Sequence, residues 1–129
     1  MGKSEIATLI IVCVLIIFDY LTGLGKAIKA KDVDSQVMRE GLWHKSAYVG
    51  VIALALLLEH GQTYLDLGYT LPVVTPACTY IAVTEIASIL ENLSALNPEL
   101  ASNKVMQIFR QNEQPSGGKH KADPRSDDE

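Results

Sequence analysis

The feature that most limits what this chain can become is a nearly unbroken apolar run from Ile6 to Phe18. It passes without a turn signal into Asp19-Tyr20-Leu21-Thr22-Gly23-Leu24-Gly25-Lys26. Read as one helix, it is a greasy rod with a carboxylate near one end. The run itself rises only about 20 Å, short of a hydrocarbon core of about 30 Å, and the flanks from Glu5 to Gly25 bring it to the needed length. Asp19 then lies inside the bilayer towards one face. An acid there costs on the order of 3 kcal/mol if it meets lipid, so it must meet a partner helix, a cation or water.

Two further apolar stretches follow, Ser46 to Leu58 and Leu71 to Leu90. In Ile6–Phe18 and Val49–Leu58 the apolar residues cover every side of a helix, whereas a helix of a soluble bundle shows one stripe. A cleavable signal peptide is the competing reading of the first stretch. It fits poorly, because Lys3 is offset by Glu5 and no Ala-x-Ala exit follows the core. Trp43 suits the headgroup layer at the start of the second stretch. In the third, Thr75 followed by Pro76 reads as an N-cap with proline at the first helical position, predicting a helix from Pro76 to about Leu96. The expectation is an all-α membrane protein whose residues 1–97 form three transmembrane helices, with spans at about 5–25, 44–60 and 71–93.

The connections predict orientation. Lys26, Lys29, Lys31, Arg39 and Lys45 lie between the first two stretches, and neither lysine nor arginine occurs between Glu59 and Thr70. The first connection is therefore expected in the cytoplasm and the second outside, with the N-terminus external and the C-terminus cytoplasmic. Within the first connection, Ser35 as N-cap and Val37, Met38 and Leu42 on one side predict a short interfacial helix. Asn97-Pro98-Glu99 repeats the cap-then-proline signature. With Leu100, Val105, Ile108 and Phe109 as its apolar stripe, it predicts a cytoplasmic amphipathic helix over 98–113. Residues 114–129, rich in Gly, Ser and charge, read as a disordered tail.

Polar residues recur at helical spacing inside the greasy stretches. Asp19, Thr22, Gly23 and Lys26 share one face of the first, and Glu85, Ser88 and Asn92 share one face of the third with Glu91 beside them. Ser46, Gly50 and Ala53 give the second a small-residue face suited to close packing. With Lys45, these charges belong to the inner half of the membrane. Either they pair within a compact three-helix unit, or they face one another between subunits and line a watery opening. The candidate intramembrane polar and oligomerisation residues are thus Asp19, Thr22, Gly23, Lys26, Lys45, Gly50, Glu85, Ser88, Glu91 and Asn92.

Other function classes find little support. A formal net charge of −4 without a basic stripe offers nothing to nucleic acid. Cys13 and Cys78 are expected to be small buried hydrophobes. His44, His60 and His120 are scattered, so no metal, cofactor or catalytic constellation is expected and the chain does not read as an enzyme.

The ordered set Asp19-x-x-Thr22-Gly23-x-x-Lys26-Ala27, then Ser35, Gly41 and Lys45, then Glu85-x-x-Ser88-Ile89-x-Glu91-Asn92 resembles the toxin-secretion and phage-lysis holins. The likeness runs from about Ile6 to Phe109. It implies a protein that gathers in the bacterial cytoplasmic membrane and assembles into lesions through which an endolysin, or in relatives a protein toxin, leaves the cell. The implied partners are membrane lipid and further copies of the chain, the endolysin needing no direct contact. Two alternatives use the same residues differently. A small ion channel or transporter subunit would pass cations by Asp19 and Glu85, and an accessory membrane protein would regulate another holin.

Overall fold

The computed structural model describes residues 2–66, 68–102 and 107–108, and every regular element among them is helical. In chain order these are α1 (Lys3–Lys29), α2 (Ser35–Gly61), a 3-10 turn (Gln62–Tyr64), α3 (Val74–Leu96) and α4 (Pro98–Ala101).

Helix α1 carries Glu5 in its first turn and Lys26 and Lys29 in its last, each sign opposing the helix dipole at its end. It stops in a Schellman turn, with Asp32 N–H donating to Ala27 O and Lys31 N–H to Ile28 O, both at 3.1 Å. Lys31 takes the left-handed position, at φ 54°. Glycine or asparagine usually fills that place, and a lysine there gave no stop signal.

The expected interfacial helix and second span are a single helix. α2 runs 27 residues from Ser35 to Gly61, because nothing between them breaks the ladder and each added residue of a started helix gains a bond. Its N-cap is Asp34 and not Ser35; Asp34 Oδ1 accepts from Gln36 N–H at 2.7 Å.

α3 also begins earlier than expected, at Val74, so Thr75 is no cap and Pro76 falls inside the first turn, where its missing N–H costs nothing. The cap comes from another helix. Glu59 of α2 accepts from Val73 N–H at 2.6 Å and Val74 N–H at 2.7 Å through one oxygen, Oε2. The Asn97-Pro98 signature does appear: Asn97 accepts from Glu99 N–H at 3.2 Å and Pro98 opens α4. Ser102 ends α4; residues 103–106 and 109–113 of the expected amphipathic helix and the whole tail 114–129 lie outside the described residues.

Among the described residues, two helices are long and apolar enough to cross a membrane, not the three expected: Lys3–Lys29, and α2 together with its turn, Ser35–Tyr64. α3 falls short because its 23 residues include Glu85, Glu91, Asn92 and hydroxyls at Thr75, Thr79, Thr84, Ser88 and Ser94. It is nonetheless the helix around which the others are arranged. α1 lies along it, α2 packs on it less closely, and α1 and α2 barely touch each other. Val12, Ala55, Val74, Cys78 and Ile81 meet there as the buried core.

The outward sides of α1 and α2 are lined by Ile10, Ile11, Val14, Ile17 and Leu21, and by Val51, Leu54, Leu57 and Leu58, all exposed. Only 17% of the apolar window of α1 and 11% of that of α2 are buried inside the chain. A core helix of a water-soluble domain would be mostly covered. Cys13, expected to be buried, lies among these exposed residues, whereas Cys78 is in the core as expected.

Candidate functional site

The site is a band of polar side chains that ties all three long helices together. Asp19 comes from α1, Lys45 from α2, and Glu85 and Asn92 from α3. Lys45 Nζ donates to Asp19 Oδ2 at 2.6 Å and to Glu85 Oε2 at 2.8 Å. Asn92 Nδ2 donates to the other carboxylate oxygen, Asp19 Oδ1, at 3.1 Å and to Thr22 Oγ1 at 3.2 Å. The Thr22 hydroxyl in turn donates to Asp19 O at 3.0 Å. Both oxygens of Asp19 are thereby engaged.

Spacing explains the arrangement. Asp19 and Thr22 are one turn apart on α1, so a single amide can reach both. Glu85 and Asn92 are two turns apart on α3, about 10.5 Å along the axis. Asp19 is held between them, by way of Lys45 on one side and by the amide on the other. Glu85 is only 2% exposed and Asp19 8%, so these charges have lost most of their water. Withdrawing an ion from water costs several kcal/mol even in a relaxed protein, and a buried pair repays this only with good geometry and further hydrogen bonds. Here the short Lys45 contacts and the Asn92–Thr22 bonds meet that condition.

Gly23 is the floor beneath Asn92: a Cβ at this position would touch Asn92 Nδ2 at 3.5 Å. Lys26 pairs with Glu91 at 3.6 Å, an exposed and weak contact. Ser88 is half-buried and takes no part in the band's hydrogen bonds, and a Cβ at Gly50 would meet nothing within 4 Å. Eight of the ten candidates, Asp19, Thr22, Gly23, Lys26, Lys45, Glu85, Glu91 and Asn92, therefore meet within one chain. Ser88 and Gly50 stand apart from them.

Two participants were missed in the sequence. Lys29 Nζ donates to Ala95 O at 3.2 Å and Leu96 O at 2.7 Å, satisfying carbonyls at the end of α3. Positions 19, 22, 26 and 29 continue one helical face, and that signal was available. Glu59 caps the start of the same helix from α2, and nothing local in the sequence announces it. Helix α3 is thus held by an acid at its positive end and a cation at its negative end, each lent by a neighbour.

Beside the band, α1 and α2 diverge and leave a cleft of about 340 Å³ lined by Gly23, Lys26, Ala27, Met38 and Gly41, among others. Among the described residues, no group of three or more His, Cys, Asp or Glu is placed to hold a metal ion.

The family model described as "Bacteriophage holin family" matches residues 2–112. The chain is 34% identical over 103 residues to an uncharacterized 14.9 kDa protein in the nagH 3' region of Clostridium perfringens, covering 80% of this chain and 74% of that one. It is 33% identical over 102 residues to an uncharacterized protein of Clostridium perfringens strain 13, type A, covering 77% and 73% respectively. No solved structure matches.

Proposed function

The chain belongs to the bacteriophage holin family, and from that premise we propose that it acts as a holin, a non-enzymatic membrane protein whose copies assemble into lesions that release an endolysin or a protein toxin and so lyse the host. The family match over residues 2–112 is the observation that carries this reading.

In this reading α1 and α2 face lipid with their exposed apolar sides in the bacterial cytoplasmic membrane. α3 enters with them. Its length of about 34 Å is enough, its polar side is turned to Asp19 and Lys45, and its outward side chains include Tyr80, Val83 and Ile86. The N-terminus is then external and the C-terminus cytoplasmic, as the lysines and arginines of the first connection favour. Lipid tails give no hydrophobic gain for helix association, so close packing and polar contacts must drive it. The polar band and the open face at Gly50 are the places for both. Endolysin passes through the lesion without having to bind the chain.

Controlled expression in bacteria tests the proposal. Membrane potential and release of a cytoplasmic enzyme are followed together, and loss of both is the expected result. Potential lost without enzyme release would transfer the chain to the ion-channel reading, and neither change would leave it an accessory to another holin.

A further inference from the structure

We propose that copies of this chain assemble by exchanging α3, the third helix of one copy taking the seat formed by α1 and α2 of another. This rests on the self-assembly reading above and specifies its contact.

Four observations carry it. First, the described polar contacts that seat α3 run to α1 or α2 and not to neighbours on its own helix. Glu59 holds its first amides, Lys45 holds Glu85, Asp19 and Thr22 hold Asn92, and Lys29 holds its last carbonyls. Second, α1 and α2 barely touch each other, so the seat is a trough whose filling is α3 itself.

Third, two side chains close the chain between α2 and α3, Glu59 at Val73 and Val74 and Gln62 at Leu71. Gln62 Nε2 donates to Leu71 O at 2.8 Å, and Leu71 N–H donates to Gln62 Oε1 at 2.7 Å. Once that amide clasp and the Glu59 cap open, the linker 65–73 can reach about 30 Å when extended. Fourth, the polar band is complete within one copy. Each charge of the band already has its partner, and any route that merely pulled α3 away would leave Glu85 and Asn92 without partners in lipid and would leave Asp19 and Lys45 with only each other.

Exchange resolves this tension. A seat filled by the partner's α3 makes the same hydrogen bonds and ion pairs, so the assembled state loses no polar contact. A hinge segment and an identical set of contacts are what such a swap requires. The partner copy then supplies Glu85 and Asn92 to a site that Asp19 and Lys45 begin.

Two measurements test the exchange in membranes, on the full chain. In a Cys13→Ser, Cys78→Ala background, differently tagged chains carrying Gly25→Cys or Leu96→Cys are co-expressed and treated with a short bis-maleimide. A Cβ at Gly25 meets Leu96 Cδ1 at 3.7 Å, so covalent mixed dimers are expected. Separately, a Lys45→Glu chain, whose α1 and α2 then offer Glu85 two acids and no cation, is co-expressed with a Glu85→Lys chain or with the unmodified chain. The Glu85→Lys partner is expected to raise the membrane level of the Lys45→Glu chain severalfold, and the unmodified partner is not. Oligomers without mixed linkage and without this selective rescue would overturn the exchange and leave self-assembly standing. A chain that stays monomeric would overturn both.

Discussion

The two ends of the helical unit are held by different physics. At one end Val12, Ala55, Val74, Cys78 and Ile81 pack as a small apolar core; at the other Asp19, Lys45, Glu85 and Asn92 form a closed polar band. In water the apolar end would dominate stability. In a bilayer the surrounding tails are as apolar as the core, so that end keeps only its packing term, whereas unpaired polar groups at the other end have no water to fall back on. The polar band should therefore fix which helix sits where, and the apolar end should fill the space between.

The largest effect is expected at Lys45. Lys45→Met leaves two carboxylates without their cation, and breaking a buried pair in this way typically costs about 3–5 kcal/mol. Unfolding in mixed detergent should register most of that loss. Adding Asp19→Leu and Glu85→Leu to Lys45→Met should recover much of it, since apolar replacement of a whole buried ionic set is often neutral. A triple variant no more stable than Lys45→Met would show that the band does not act as a unit.

Ile81→Ala probes the opposite end. Ile81 is fully buried, and such truncations cost about 2–5 kcal/mol in soluble cores, from transfer and cavity terms combined. With lipid outside, the transfer term largely vanishes. The expected loss is about 2 kcal/mol, smaller than at Lys45, by the same unfolding measurement. The reverse order would mean that the helices are stabilised as they would be in water.

Glu59→Ala lies between the two regions and should act locally. It removes the acceptor for Val73 and Val74 N–H, so hydrogen exchange at those amides should quicken while exchange around Asn92 stays as it was. If exchange quickened along the whole of α3, the cross-helix cap would be organising the helix and not merely finishing its first turn.

The same division decides what could be read from the sequence. Helical spacing along α1 and α3 put Asp19 with Thr22 and Glu85 with Asn92, because spacing within a helix is a local property. That Lys45 of α2 would close the band within one chain was one of two open readings, since the relative rotation of separate helices leaves no mark on local pattern. Helix ends fared unevenly for the same reason. Asn97 caps through its own turn and was legible. Val74 is capped by Glu59 from a distance, and Lys31 ends α1 in a conformation that lysine seldom signals. Two helices and not three are apolar enough to count as spans among the described residues, because Glu85 and Asn92 of α3 serve contacts with α1 and α2 and lower that helix's average apolarity.

The smallest effect within one copy, and the one most informative about assembly, is expected at Gly50. A Cβ there meets nothing within 4 Å, so Gly50→Ala should not disturb the chain's own packing and should add up to about 1 kcal/mol of helix preference. Gly50 is itself exposed, so the larger side chain of Gly50→Leu is also expected to find room in a single copy. That side chain would nevertheless hold apart any second helix laid against that face, whereas an alanine could still be accommodated. On the proposal that the small-residue face of α2 is a contact between copies, Gly50→Leu should keep full membrane levels yet lower the cross-linked oligomer fraction, with Gly50→Ala close to the unmodified chain. Equal oligomer fractions in all three would assign the Gly50 face to lipid and leave the polar band, with or without exchange of α3, as the place where copies recognise each other.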